Sequence, residues 1–262
     1  MAFLGAGRMA TALAKGLLGQ GFERKRLSAF DVSNEASSAF FKATGVACGS
    51  SVDDVLKPAD VVLLAVKPQN IEACLGAARN RLHDKLLVSI VAGVKVAALT
   101  KLSGCDRIVR AMPNTPALVG AGITAMASST GMSSKDVELA RSILGAVGEV
   151  LALPEHLLDA VTGLSGSGPA YVFDFIQGLV DGGVRSGLPR DAAFKLALQT
   201  VSGAAKLLAD TGEHPAVLRD QVTSPGGTTA SGLSVLERGS FRGLVSQAVY
   251  EAANRSRELG GG

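Results

Sequence analysis

The chain has 262 residues, 47% apolar, 19% charged and 4% aromatic with no tryptophan, which allows a sizeable core and excludes a disordered tail. Its net charge of +3, from 26 basic and 23 acidic residues, is spread without a basic block, so nucleic acid is not an expected partner. Apolar stretches such as 61–66 and 86–92 are far shorter than the ~20 residues of a membrane-spanning helix, and the odd, widely spaced cysteines Cys48, Cys74 and Cys105 suggest neither a zinc site nor a disulfide framework.

From the amino end to about residue 154, short apolar runs at 2–4, 26–31, 60–66, 86–91, 107–112 and 149–153 alternate with helical patterns. The run Val61-Val62-Leu63-Leu64-Ala65-Val66 is apolar at both parities, as a strand covered on both faces must be. This alternation predicts an α/β fold with a Rossmann-type, doubly wound parallel sheet over residues 1–154. The first strand begins directly after Met1. The expected location is the cytoplasm, or an organelle if the amino end is trimmed.

Beyond residue 154 the strand signals stop. Helices are predicted over 171–186, 190–210, 216–222 and 241–258, with Gly- and Pro-rich turns between them. Residues 155–262 therefore form an expected all-α region. At ~105 residues it makes a small core alone, and its many small residues suit close helix contacts. We expect it to dimerise.

The first turn is the most specific local signal. Phe3-Leu4-Gly5-Ala6-Gly7-Arg8-Met9-Ala10 gives G-x-G-x-x-A between an apolar strand and a helical run. Gly5 allows the tight turn, Gly7 allows backbone approach to a pyrophosphate, Ala10 allows helix–strand packing, and the helix N-terminus faces the phosphates. Leu4, Gly5, Ala6, Gly7, Arg8 and Met9 are thus candidate dinucleotide-binding residues. Asp31, at the end of the second strand, can accept from a ribose 2′-OH and favours NAD, whereas Ser33 and Asn34 can donate to a 2′-phosphate; a plain turn residue is the other reading of Asp31. The choice between NADPH and NADH stays open. Later strand ends, Ala65-Val66-Lys67-Pro68, Ala92 and Asn114, are candidate walls for the nicotinamide end.

Catalytic acids are scarce. His83 is expected on a charged surface helix and His214 in a turn before Pro215, and no motif suggests a metal. Two polar Gly-rich strings, Gly163–Tyr171 and Val222–Thr229, each precede a helix and are expected to offer unblocked backbone N–H groups for a carboxylate. Ser224, Thr228 and Thr229 add hydroxyls. Such a site suits a small anionic substrate with an imine, because an imine can bind as its iminium and needs no strong side-chain acid.

Gly5–Ala10, Ala65-Val66-Lys67-Pro68-Gln69, Arg110-Ala111-Met112-Pro113-Asn114-Thr115-Pro116, Leu164-Ser165-Gly166-Ser167-Gly168-Pro169-Ala170-Tyr171 and Thr223-Ser224-Pro225-Gly226-Gly227-Thr228-Thr229 occur together and in order. In this the chain strongly resembles the pyrroline-5-carboxylate reductases over nearly its whole length, and its tail is similar to plant-type members. The resemblance implies NADPH- or NADH-dependent reduction of the cyclic imine Δ1-pyrroline-5-carboxylate to L-proline, the last step of proline synthesis. It implies that Ser224, Gly226, Gly227, Thr228 and Thr229 hold the substrate, with the Thr229 hydroxyl on the ring nitrogen. It also implies a homodimer with interleaved helices, sites completed by both chains, and dimers assembling into rings, often decamers. Plant members carry basic residues where Ser37 and Ser38 stand, and Val52 and Asp31 also depart from the pattern; these four bear on the cofactor preference. A 3-hydroxy-acid dehydrogenase would instead need an active lysine, for which only Lys195 and Lys206 are late enough; a non-catalytic nucleotide-binding scaffold is a third reading.

Overall fold

The computed structural model describes residues 1–260. Seven strands, β1 (Ala2–Leu4), β2 (Ser28–Phe30), β3 (Val61–Leu64), β4 (Leu86–Ser89), β5 (Ile108–Met112), β6 (Gly122–Ser128) and β7 (Gly148–Ala152), form one sheet in the order β2-β1-β3-β4-β5-β6-β7. All neighbours are parallel except β5 and β6. Strand order reverses between β1 and β3, and ligands of open α/β sheets bind at such a switch point, outside the carboxyl ends of the strands.

Side chains alternate across the sheet. Phe3, Leu63, Val88 and Val109 pack into one core layer with α1 (Arg8–Gly19), α2 (Asn34–Thr44) and α6 (Ser134–Leu144). Leu4, Leu64, Leu87 and Ile108 pack into the opposite layer with α3 (Val52–Leu56), α4 (Ile71–Ala78) and α5 (Val96–Ser103). Covering both faces is what makes the strand runs apolar at both parities. Phe3 and Phe40, both fully buried, meet at 5.7 Å between ring centroids, a contact worth about 0.5–1.5 kcal/mol beyond the area buried.

The sequence reading missed β6, which pairs antiparallel with β5 and parallel with β7. Its residues, Gly-Ile-Thr-Ala-Met-Ala-Ser, are mostly small. The glycine, alanines and serine carry weak strand propensity, and the strand is fixed by burial of Thr124, Ala125, Met126 and Ala127 in the tertiary structure. Most of the other strands are shorter than the runs that predicted them. His83 lies in an exposed turn before β4, not on a helix, because the preceding helical turns end at Arg81.

The remaining helices are α7 (Leu158–Val161), α8 (Gly168–Arg185), α9 (Arg190–Thr211), α10 (Pro215–Gln221), α11 (Thr228–Arg238) and α12 (Phe241–Leu259). The chain divides into two compact units, one of residues 1–167 with 250–262 and one of residues 168–249. This division falls later than residue 154 because Leu158 packs under Ala125 and Ala127 of β6, and because the end of α12 returns to Asp159 through Ser256. The second unit centres on α8 and α9. Its buried apolar cluster holds only Val180, Ala193 and Ala197, while Val172, Phe173, Phe194, Leu196, Leu207, Val235 and Leu244 stay exposed.

Candidate active site

The Gly-rich turn leaves β1 at the switch point. Gly5 has φ +99°, and a Cβ there would come within 2.6 Å of the Ala65 carbonyl oxygen, so the turn needs glycine both for its conformation and for the approach of the β3 exit. Gly7 is the N-cap of α1 and has no side-chain cap; a Cβ on it would meet nothing within 4 Å. Open space over Gly7, beside the uncapped first turn of a twelve-residue helix, fits a dinucleotide pyrophosphate. Arg8 is exposed at that mouth and Met9 half-buried. Ala10 is fully buried, which sets α1 close against the sheet. Leu4 has a different part: its side chain is in the core and its carbonyl accepts the Ala65 N–H at 2.8 Å, so it supports the turn from below.

Asp31 closes the turn from the β2 side. Its Oδ2 accepts the Ala6 N–H at 2.8 Å and its Oδ1 accepts the Ser33 N–H at 2.8 Å. The carboxylate therefore ties the Gly-rich turn to the end of β2, a job the sequence did not reveal. The Ser33 Oγ accepts the Ala36 N–H and caps α2. A cleft of about 610 Å³ opens here between α1 and α2, and it brings Ala6, Gly7, Arg8 and Ser33 together with Lys15 and Glu35. Lys15 and Glu35 are polar wall residues that the sequence reading passed over; their i+7 and i+2 spacing from Arg8 and Ser33 was the available signal.

A second cleft of about 440 Å³ lies at the exits of β3 and β4. It contains Pro68 and Ala92 from the predicted set. Ala65, Val66 and Lys67 lead into it along the same strand exit. Asn114 is buried at the end of β5, and its Oδ1 accepts the Ile123 N–H at 3.0 Å, so it also fastens β6 to the strand-end loop. Gln69, Gly93, Thr162 and Ser167 complete that cleft with the last turns of α12; nothing in the local sequence around α12 pointed to it.

The two Gly-rich strings of the helical region differ. Residues Thr162–Gly166 form a π-helical turn, and the Ser167 N–H donates to the Thr162 carbonyl at 2.8 Å. The expectation of free amides is therefore corrected for the first part of Gly163–Tyr171, where the π-helical turn uses them internally, while Gly168–Tyr171 forms the first turn of α8. Such π-bulges recur at functional sites. In the other string the Gly227 N–H donates to the Ser224 carbonyl at 3.0 Å, and the open amides are those of Thr228 and Thr229 in the first turn of α11. Gly226 has φ +68° and Gly227, the N-cap of α11, has no side-chain cap. A Cβ on Gly227 would lie 2.3 Å from Ser224 Oγ, so the Ser224 side chain folds over this glycine and would have to turn away from any larger residue. Thr228 and Thr229 then stand in the first turn of α11, whose amides point out of the helix end.

None of the three histidines lines either cleft; His214 caps α10 through Nδ1, which accepts the Ala216 N–H at 3.2 Å. Burial pushes all three thiols up, Cys74 to about 11, so each is protonated at neutral pH and none is a ready nucleophile. Lys195 and Lys206, on which the hydroxy-acid reading depends, are exposed on α9, and Lys206 is paired with Asp210. Among the described residues no group of three or more His, Cys, Asp or Glu side chains comes together as metal ligands would. No helix among them is long and apolar enough to cross a membrane.

The pyrroline-5-carboxylate reductase dimerisation family matches residues 155–259, and the family described as NADP oxidoreductase coenzyme F420-dependent matches residues 1–93. The pyrroline-5-carboxylate reductase of Arabidopsis thaliana is 47% identical over 98% of this chain and 94% of its own length. That of Escherichia coli is 38% identical over 98% and 97%. Among solved structures, the Plasmodium falciparum pyrroline carboxylate reductase with NADP bound superposes with a TM-score of 0.90 at 34% identity, covering 99% of this chain and 97% of that one. With identity at this level from end to end, the chain belongs to the pyrroline-5-carboxylate reductase family.

Proposed function

We propose that this protein reduces Δ1-pyrroline-5-carboxylate to L-proline at the expense of NADPH or NADH, the final step of proline biosynthesis. The observation that carries this reading is the coexistence of an open Gly7 pyrophosphate seat and an uncapped Gly227–Thr229 helix end in a chain homologous throughout to such reductases.

When bound, the reduced dinucleotide supplies a hydride. The first-turn amides of α1 hold its pyrophosphate, and Ala65–Pro68, Ala92 and Asn114 shape the nicotinamide end. The first-turn amides of Thr228 and Thr229 orient the substrate carboxylate, with the Gly226–Gly227 turn beneath them, closed by the Gly227 N–H on the Ser224 carbonyl. The Thr229 hydroxyl hydrogen-bonds the ring nitrogen and helps deliver its proton. An iminium accepts hydride at carbon without further protonation, which explains why a site with no histidine in its walls suffices.

Asp31 adds negative charge beside the 2′ position, and Arg8 and Lys15 offset it within the same cleft; both cofactors are accepted in this reading. The exposed apolar face of α8 and α9 joins two copies into a dimer, and dimers build a decamer. The working compartment is the cytoplasm, and neither nucleic acid nor membrane has a part. The test is cofactor oxidation by purified protein with Δ1-pyrroline-5-carboxylate, NADPH and NADH in parallel. Turnover with imine is expected; turnover with a 3-hydroxy acid and NAD(P)+ but none with the imine would overturn the reading, as would cofactor binding without turnover.

A further inference from the structure

Arg110 interrupts an otherwise apolar strand, Ile-Val-Arg-Ala-Met, and is only 4% exposed. A guanidinium so buried must be paired. Its Nη1 donates to Glu155 Oε1 at 3.3 Å and its Nη2 lies 3.8 Å from Asp159 Oδ1. Each carboxylate reaches on to a further element. Glu155 Oε1 accepts the Val96 N–H at 2.7 Å, fixing the start of α5 just after the β4 exit. Asp159 Oδ1 accepts the Ser256 hydroxyl at 2.7 Å, on the last turn of α12 and 97 residues away in sequence. A second contact seats the same helix end: a Cβ on Gly260 would lie 2.8 Å from the Gly93 carbonyl oxygen, so backbone rests on backbone there. The consequence is spatial. Ser256 and Leu259 face Pro68, Gln69, Ala92 and Gly93 across the second cleft.

We propose that the last two turns of α12 are a wall of the nicotinamide pocket, and that Arg110, Asp159 and Ser256 are positioning residues that hold this wall against the exits of β3 and β4. Arg110 works through its carboxylates and touches no ligand. Arg110 Nη2, 3.8 Å behind Asp159 Oδ1, aims that carboxylate at Ser256, whose hydroxyl donates to it at 2.7 Å, and charge-assisted hydrogen bonds of this kind are the strong ones. Placement of a reacting ring is sensitive to displacements of about 1 Å in its supports. This proposal rests on the assignment of Ala92 and Pro68 to the nicotinamide end.

The experiment compares binding of NADPH with binding of adenosine 2′,5′-bisphosphate, the adenine half alone, in the full-length protein. Ser256→Ala removes the hydroxyl, Ser256→Thr retains it, and Leu259→Ala trims the wall without touching the network. Ala92→Leu fills the cleft from the strand side. We expect Ser256→Ala and Leu259→Ala to weaken NADPH by roughly five-fold, to lower kcat by roughly ten-fold and to leave the adenine half unchanged, with Ser256→Thr keeping the parent values. If Ala92→Leu weakens NADPH while Ser256→Ala and Leu259→Ala do not, the wall is refuted and the nicotinamide assignment stands. If Ala92→Leu leaves NADPH binding unchanged, the assignment fails and the proposal with it. Equal loss of both ligands in Ser256→Ala would show a general loosening of the unit and would also refute the positioning role.

Discussion

The two compact units treat their apolar residues in opposite ways. In residues 1–167 with 250–262, the large hydrophobics of five strands and six helices fill two layers on either side of one sheet, and Phe3, Leu13, Phe40, Leu63 and Leu64 are wholly buried. In residues 168–249 the longest helices bury little more than Val180, Ala193 and Ala197, while Phe173 is 64% exposed. The first unit completes its own core. The second leaves Val172, Phe173, Phe194, Leu196 and Leu207 of α8 and α9 exposed, as a region that matches a dimerisation family would. A cofactor seat needs only a rigid strand exit, whereas the helical unit reaches its working form through self-association.

Phe173→Asp breaks the comparison at its weakest point. Each copy loses a burial worth about 1.5–3 kcal/mol and gains a charge to desolvate, so sedimentation should show dissociation and activity should collapse. NADPH binding by the first unit should survive; loss of cofactor binding in step with dissociation would deny that the first unit is self-sufficient. Thr229→Ala acts within the second unit alone. It should cost about 2–4 kcal/mol of transition-state stabilisation, read as a fall in kcat/KM with unchanged oligomeric state, and an unchanged rate would remove Thr229 from the mechanism.

Gly5→Ala tests the first unit. A methyl 2.6 Å from the Ala65 carbonyl oxygen, at φ +99°, should cost about 1–3 kcal/mol in folding and displace the turn, seen as lowered thermal stability with weakened binding of either cofactor. Asp31→Ser removes the acceptors of the Ala6 and Ser33 amides. Both cofactors should bind more weakly, yet NADPH should gain relative to NADH by about 1 kcal/mol, from loss of the negative charge near the 2′-phosphate; an unchanged ratio of kcat/KM values would mean that the carboxylate acts only on the backbone.

The smallest expected effect is electrostatic. Arg107 hydrogen-bonds Asp136 at 2.6 Å and holds its carboxyl below the usual range. A depressed folded pKa gives stability that is full above the unfolded value of about 3.9 and is lost as pH falls through the folded value. With Arg107 partly exposed, Asp136→Asn should cost only about 1 kcal/mol at neutral pH. In urea unfolding the gap to the parent should narrow as pH falls below about 4; a gap that is constant with pH would assign the effect to packing.

The sheet was largely legible because its strands are buried on both faces and its first turn has a steric code in Gly5, Gly7 and Ala10. β6 was not, since glycine, alanine and serine carry little strand signal and its place is decided by β5 and β7. Within the site, Gly226, Gly227 and Thr229 could be singled out from composition before a helix, but free amides and spent amides look alike in sequence: the Ser167 N–H is spent on Thr162 and the Gly227 N–H on Ser224, while those of Thr228 and Thr229 stay in the open first turn of α11. Contacts over long separations were out of reach. Asp31 to Ala6 spans 25 residues and Asp159 to Ser256 spans 97, and only Arg110 inside an apolar strand hinted that buried carboxylates were waiting for it.

The most direct test of the whole account follows the hydride. Purified protein is given Δ1-pyrroline-5-carboxylate and NADPH dideuterated at the nicotinamide C4, and the product is analysed by mass spectrometry. The account predicts L-proline carrying one deuterium at the former imine carbon. Cofactor oxidation without labelled proline, or no proline at all, would contradict it.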